Sequence, residues 1–224
     1  MSDIILNKII KKIFESNEFK EYMRVYNYSK YYWSLISRCS LINWDIIQSN
    51  PDIPWDWCSI SMHRNISWNI ISSNPDKPWD CYGISMNPNI DWNIIKSKPN
   101  NFWNWRRISV HPNIGWDIIS SNPDKPWDWF ILSDNPNLDW DFIKDKPDEV
   151  WNWCELSKHP NIGWNIISSN PDKPWDWYGV SQNPNIDWDI IENNLDKDWN
   201  WVKILERQDC TNFRDRNLGK LKIY

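Results

Sequence analysis

The sequence predicts an all-α solenoid of about seven 24-residue repeats, each made of two short helices around a tryptophan-rich core. Two observations predict it. First, Trp44, Trp68, Trp92, Trp116, Trp140, Trp164 and Trp188 stand 24 residues apart, as do Trp55, Trp79, Trp103, Trp127, Trp151, Trp175 and Trp199. A third series, Trp57, Trp105, Trp129, Trp153, Trp177 and Trp201, keeps the same register with Cys81 in one place. Strict self-similarity at such a period marks a stacked array in which each unit touches its neighbours. Second, the plan [Asp/Asn]-x-x-Trp, nearly always preceded by Pro, repeats at alternating steps of 13 and 11.

That plan reads as a helix start. Asp52, Asp76, Asn100, Asp124, Asp148, Asp172 and Asp196 open one half of each unit, and Asn65, Asn89, Asn113, Asn137, Asn161 and Asn185 the other. Asp and Asn are strong N-caps, because their side-chain oxygens accept orphan N–H groups of the first turn. Pro54, Pro78, Pro126 and Pro174 then fall in that first turn, where a missing N–H costs nothing. The proline opening the next half ends the helix before it. Helices of about 8–10 residues result, too short to persist alone in water, so stacking through tryptophan must stabilise them. The alternative is a β-solenoid, since Trp-Asp-Trp also alternates. Proline every 11–13 residues and the Ile-Ile doublets fit stacked strands poorly.

Residues 1–27 read as an N-terminal helical cap. Ile5, Ile9, Ile10, Ile13 and Phe14 share one face of a helix, with Lys8, Lys11 and Lys12 on the other. Residues 28–205 form the array, entered through Tyr31 and Trp33, which stand 24 residues before Trp55 and Trp57. Residues 206–224 read as a basic tail or closing segment.

Net charge is −5, distributed as +3 over residues 1–38, −11 over 39–202 and +3 over 203–224. An acidic middle repels phosphate backbones, which counts against nucleic acid as the partner. Five cysteines without a Cys-x-x-Cys pair point to free thiols in a reducing compartment. No leader pattern and no apolar run of membrane-spanning length is present, so the expected place is the cytoplasm.

Chemistry is sparse. The Asp/Asn ladder following the tryptophans has no glycine-rich, multi-oxygen loop for calcium, and reads as structural. His63, His111 and His159 are 48 residues apart and read as turn residues, too far separated to share a metal. No nucleophile elbow, phosphate loop or dinucleotide fingerprint occurs. The expectation is a non-enzyme without metal or cofactor.

Two positions midway along the Trp-x-Trp half change in every unit: Cys58-Ser59, Tyr82-Gly83, Arg106-Arg107, Phe130-Ile131, Cys154-Glu155, Tyr178-Gly179 and Val202-Lys203. Solenoids use such a stripe to recognise partners, and aromatic and arginine side chains carry interface energy. Tyr82, Arg106, Arg107, Phe130, Glu155 and Tyr178 are therefore the candidate partner-binding residues.

The repeated Asn-Pro-Asn-Ile-x-Trp-x-Ile-Ile and Asn-Pro-Asp-Lys-Pro-Trp-Asp-Trp units resemble the tryptophan-repeat gene family of insect poxviruses, with similar repeats in other large DNA viruses. The resemblance covers residues 28–205. It implies a virus-encoded protein made in the host cell, and it transfers no functional site. The function expected is a non-enzymatic scaffold for protein–protein interaction with a host or viral protein. The alternatives are a single-stranded nucleic-acid binder that stacks bases on aromatic rings, and a self-assembling structural component of the virus.

Overall fold

The computed structural model describes residues 29–207, with isolated residues of the segment before them (12, 13, 16, 17 and 21). The expected N-terminal cap (1–27) otherwise lies outside the described residues, as does everything after Arg207. The described fold is an all-α repeat solenoid, with fifteen short helices. Helix α1 (Ser29–Ser37) leads into a first unit of α2 (Trp44–Ser49), α3 (Trp57–Ser61), α4 (Trp68–Ser73), α5 (Cys81–Ile84), α6 (Trp92–Lys96) and α7 (Trp105–Ile108). A second compact unit holds α8 (Trp116–Ser121), α9 (Trp129–Leu132), α10 (Trp140–Asp145), α11 (Trp153–Lys158), α12 (Trp164–Ser169), α13 (Trp177–Val180), α14 (Trp188–Glu192) and α15 (Trp201–Glu206). The division falls after Ile114, except that Asp124–Pro126 cluster with the first unit.

The helices start later and run shorter than the sequence plan suggests. Past α1 they are four to six residues long, and the caps sit directly before the tryptophans. Asn43, Ser67, Asp91, Asp139 and Asp187 cap the even-numbered helices, each accepting from the N–H three residues on. In the odd-numbered helices the cap lies between the two tryptophans, as Asp80, Asn104, Asp128, Asn152, Asp176 and Asn200. The late start is common to repeats with and without proline: Trp103, Trp151 and Trp199 follow Phe102, Val150 and Asp198, yet α7, α11 and α15 begin at the same place as the helices after Pro54, Pro78, Pro126 and Pro174. Where proline is present it biases the residue before it away from the helical region. The prolines thus precede the helices rather than occupying their first turns.

The asparagines expected as caps do something else. In the first unit, Asn65 Nδ2 donates to the carbonyls of Ser40 and Ile42, Asn89 to those of Arg64 and Ile66, and Asn113 to those of Pro88 and Ile90. In the second, Asn161 donates to Pro136 and Leu138, and Asn185 to Pro160. Each ties its turn to the equivalent turn one repeat earlier.

A serine ladder runs beside it. Ser37, Ser61 and Ser85 accept at Oγ from the N–H of Asp56, Asp80 and Asn104, at 2.9–3.0 Å. Ser133, Ser157 and Ser181 do the same for Asn152, Asp176 and Asn200, at 2.8–2.9 Å. All six serines are fully buried. The backbone N–H of each odd-helix cap is thus satisfied by the preceding repeat, which locks the two layers in register.

The innermost core is aliphatic. Ile60, Ile66, Ile84, Ile90, Ile108 and Ile114 are fully buried in the first unit, and Leu132, Leu138, Leu156, Ile162, Val180 and Ile186 in the second. Of the tryptophans, Trp55, Trp103, Trp105, Trp127, Trp151 and Trp199 join this core, while the even-helix series is half-buried. The indoles interlock between layers. Trp79 lies 5.6 Å from Trp44 and meets Trp57 edge-on at 5.1 Å. Trp175 repeats this between Trp140 and Trp153, and Trp199 between Trp164 and Trp177.

The last repeat extends past the expected boundary at 205. Helix α15 ends at Glu206, and Arg207 Nη2 donates to the carbonyl of Ile186 at 2.5 Å.

Candidate interaction surface

Past α1, each odd-numbered helix is four to six residues long, and its geometry splits the two variable positions apart. The second residue of the turn points outward: Arg106, Phe130, Cys154, Tyr178 and Val202 are exposed, with Phe130 at 49% and Tyr178 at 45%. The third residue gives its N–H to the cap, as Gly83 does to Asp80 at 2.7 Å and Ile131 to Asp128 at 3.0 Å. Its side chain is sunk towards the preceding layer. Ser59 is buried and accepts from Arg38 Nε at 3.0 Å. Gly83 and Gly179 are buried outright.

The glycines mark close approach rather than free variation. A Cβ on Gly83 would lie 2.4 Å from the carbonyl oxygen of Cys58, and one on Gly179 2.7 Å from that of Cys154. Neither backbone atom can step aside as a flexible side chain could. The stripe of two variable sites is thus one outward row and one interlayer row.

In the first unit the candidates Tyr82 and Arg107 are brought together. The Arg107 guanidinium carbon lies 4.6 Å from the centre of the Tyr82 ring, which leaves Tyr82 half-buried. Arg106 stands outward beside them. In the second unit Phe130 and Tyr178 both stand outward. Glu155 occupies the interlayer row, where its carboxylate pairs with Lys158 at 2.7 Å on the same helix. Lys203 was not among the candidates, yet its Nζ lies 5.5 Å from the centre of the Tyr178 ring. The signal was present: Tyr82, Gly83 and Arg107 recur 96 residues later as Tyr178, Gly179 and Lys203. Cys58 and Cys154 share the same interval.

The row's electrostatics are mild. Burial pushes the Cys58 thiol up to about 11, assisted by its hydrogen bond to Asp80. A hydrogen bond to Asp176, then burial, raises Cys154 as well. These thiols are held protonated, opposite to what a nucleophile needs. Among the described residues no group of three or more His, Cys, Asp or Glu side chains gathers as a metal site would require, and no helix is long and apolar enough to cross a membrane.

The histidines sit inside the ladders. His63 Nδ1 accepts from the Asn65 N–H, and its Nε2 faces the Cys39 carbonyl at 3.0 Å. His111 and His159 repeat this with Asn113 and Asn161, and with the carbonyls of Asn87 and Asn135. In alternate repeats an asparagine takes the same place, with Oδ1 accepting and Nδ2 donating, as in Asn87 and Asn183. The turn role read from the sequence is the one they have.

No family model, no curated protein and no solved structure matches this chain.

Proposed function

We propose that the protein is a non-enzymatic repeat scaffold that binds a protein partner through the outward row. One observation carries this reading. The ladder and core bonds recur from repeat to repeat, while the second residue of the odd-numbered helix changes identity and is exposed at Arg106, Phe130, Cys154, Tyr178 and Val202. Exposed aromatic side chains suit recognition because they bring large contact area at low side-chain entropy cost, and arginine adds planar, charged hydrogen bonding. The partner proposed is a host or viral protein and the place of action the host cytoplasm. Both rest on the resemblance of the repeats to the viral tryptophan-repeat family.

The test is capture of partners by wild-type chain beside an Arg106→Glu, Phe130→Ala, Tyr178→Ala variant. These three side chains are chosen because they project outward, so folding should survive their change. A protein held by the wild type and lost from the folded variant supports the reading. An identical set from both refutes the row.

A nucleic-acid partner is the rival reading, favoured by the basic ends of the chain and the Arg106–Arg107 pair. Its mark is RNA binding that weakens steeply as salt rises.

A further inference from the structure

Three open recesses recur at equivalent places in the repeats, lined by none of the outward-row residues. In the first unit, one of about 300 Å³ lies among Trp44, Pro51, Trp55 and Trp57, with Lys77 in its lining. The next, about 290 Å³, lies among Trp68, Pro75, Trp79 and Phe102, and shares Lys77. The two adjoin through that lysine, one per repeat. In the second unit an equivalent recess of about 430 Å³ is bounded by Trp164, Pro171, Trp175 and Trp177, with Lys173 and Lys197.

We propose that these recesses bind an extended proline-rich segment that carries acidic residues between its prolines. The first argument is chemical. Grooves walled by aromatic rings take polyproline II segments, whose stiffness lowers the entropy lost on binding. The second is pitch. Packed helices are spaced by about 8–10 Å, and a polyproline II strand returns to the same edge every three residues, about 9.3 Å. At that helix spacing a polyproline strand would present one turn to each consecutive recess.

The third argument is charge. Every charged residue lining the three recesses is a lysine, within a stretch, residues 39–202, whose net charge is −11. Lys98, over the Trp68 ring at 5.7 Å, lines the second. Lys77, Lys173 and Lys197 each rest on the aspartate before them, at 3.0, 3.5 and 3.0 Å. Those aspartates are exposed, and such surface pairs exchange at little cost for an incoming carboxylate. A nucleic acid brings a phosphate at every nucleotide against that negative background, whereas a polyproline strand brings one carboxylate per turn, set opposite the lysines of a recess.

The experiment is fluorescence anisotropy of the full chain with a labelled peptide of repeated Pro-Pro-Glu. Three comparators are repeated Pro-Pro-Lys, a Gly-Ser-Glu peptide of equal charge, and single-stranded oligouridine. Saturable binding to Pro-Pro-Glu is expected, about tenfold tighter than to either peptide comparator. Lys77→Glu and Lys197→Glu, each checked for an unchanged melting temperature, should each weaken it about threefold or more. Absence of saturation, equal binding to the proline-free peptide, or tighter binding to oligouridine would overturn the proposal. The outward-row variant should leave this binding unchanged, so failure of one surface does not count against the other.

Discussion

His111 Nε2 lies 3.0 Å from the backbone carbonyl oxygen of Asn87, the residue that holds the same place one repeat earlier. Its other ring nitrogen accepts from the Asn113 N–H at 3.2 Å. The two bonds together fix the neutral Nε2–H tautomer: Nδ1 must keep its lone pair, and Nε2 must carry the proton it donates. Asn87 meets the same two demands with Oδ1 and Nδ2. Histidine and asparagine therefore alternate because each supplies one acceptor and one donor on the same turn.

The first prediction is a pH dependence of stability. Burial lowers the folded pKa of His111 and of His159, against the opposing pull of the carbonyls of Asn87 and Asn135. The unfolded chain then binds more protons than the folded one below the ordinary histidine value of about 6.5, so stability rises with pH there. It should be fully present above that value and fall as pH drops through 6.5 and on through the lowered folded pKa values. Urea melts from pH 5 to 8 should show this slope, and the double variant His111→Asn, His159→Asn should flatten it while still folding.

The second concerns the serine ladder. Ser157→Ala removes the acceptor for the buried N–H of Asp176. An unsatisfied buried donor costs about 1–3 kcal/mol, which denaturant titration would read. The Asp176 amide should also exchange with solvent faster. Ser168→Ala, on an exposed hydroxyl in the same unit, should change stability by less than about 0.5 kcal/mol.

Two glycines give opposite expectations in one unit. Gly179→Ala drives a Cβ against the Cys154 carbonyl and should cost about 1–3 kcal/mol. Gly163 caps α12 without a side chain, where Asp139 and Asp187 cap the equivalent helices. Gly163→Asp should stabilise by a few tenths of a kcal/mol, measured as a small rise in the thermal midpoint.

A fourth prediction uses the thiols. With its pKa at about 11, Cys58 holds on the order of a hundredfold less thiolate near neutral pH than an ordinary cysteine. Iodoacetamide at pH 8 should modify it slowly in the folded chain and at an ordinary rate in denaturant. Fast labelling in both would contradict the burial beside Asp80.

The repeat, its period and its helical class were legible because tryptophan recurs at a fixed interval. The helix starts were not. Asp52 and Asn65 have the chemistry of caps, but the helix after the first starts only at Trp57, with the Asp56 N–H taken by Ser37 of the preceding repeat, and the second is taken by carbonyls one repeat back. Such long-range bonds leave no local pattern. Ser61, Ser85 and Ser109 were a readable signal, since a small polar residue that never changes within a fully buried row needs a partner. Of the candidate surface, Phe130 and Tyr178 were found from variability alone. The split between outward and interlayer rows was not, because it depends on which side of a single turn faces the neighbouring layer. Lys203 required the 96-residue interval that links Tyr82 to Tyr178.

The measurement that bears most directly on the account is capture from host-cell lysate by wild-type chain, the Arg106→Glu, Phe130→Ala, Tyr178→Ala variant and Ser157→Ala, each with its thermal midpoint. The account predicts that the row variant melts within about 2 °C of wild type and loses a specific partner. Ser157→Ala should melt lower and still hold that partner at a temperature where it is folded. Retention by the row variant, with loss only where the fold is weakened, would contradict the assignment of the outward row to binding and the ladders to structure.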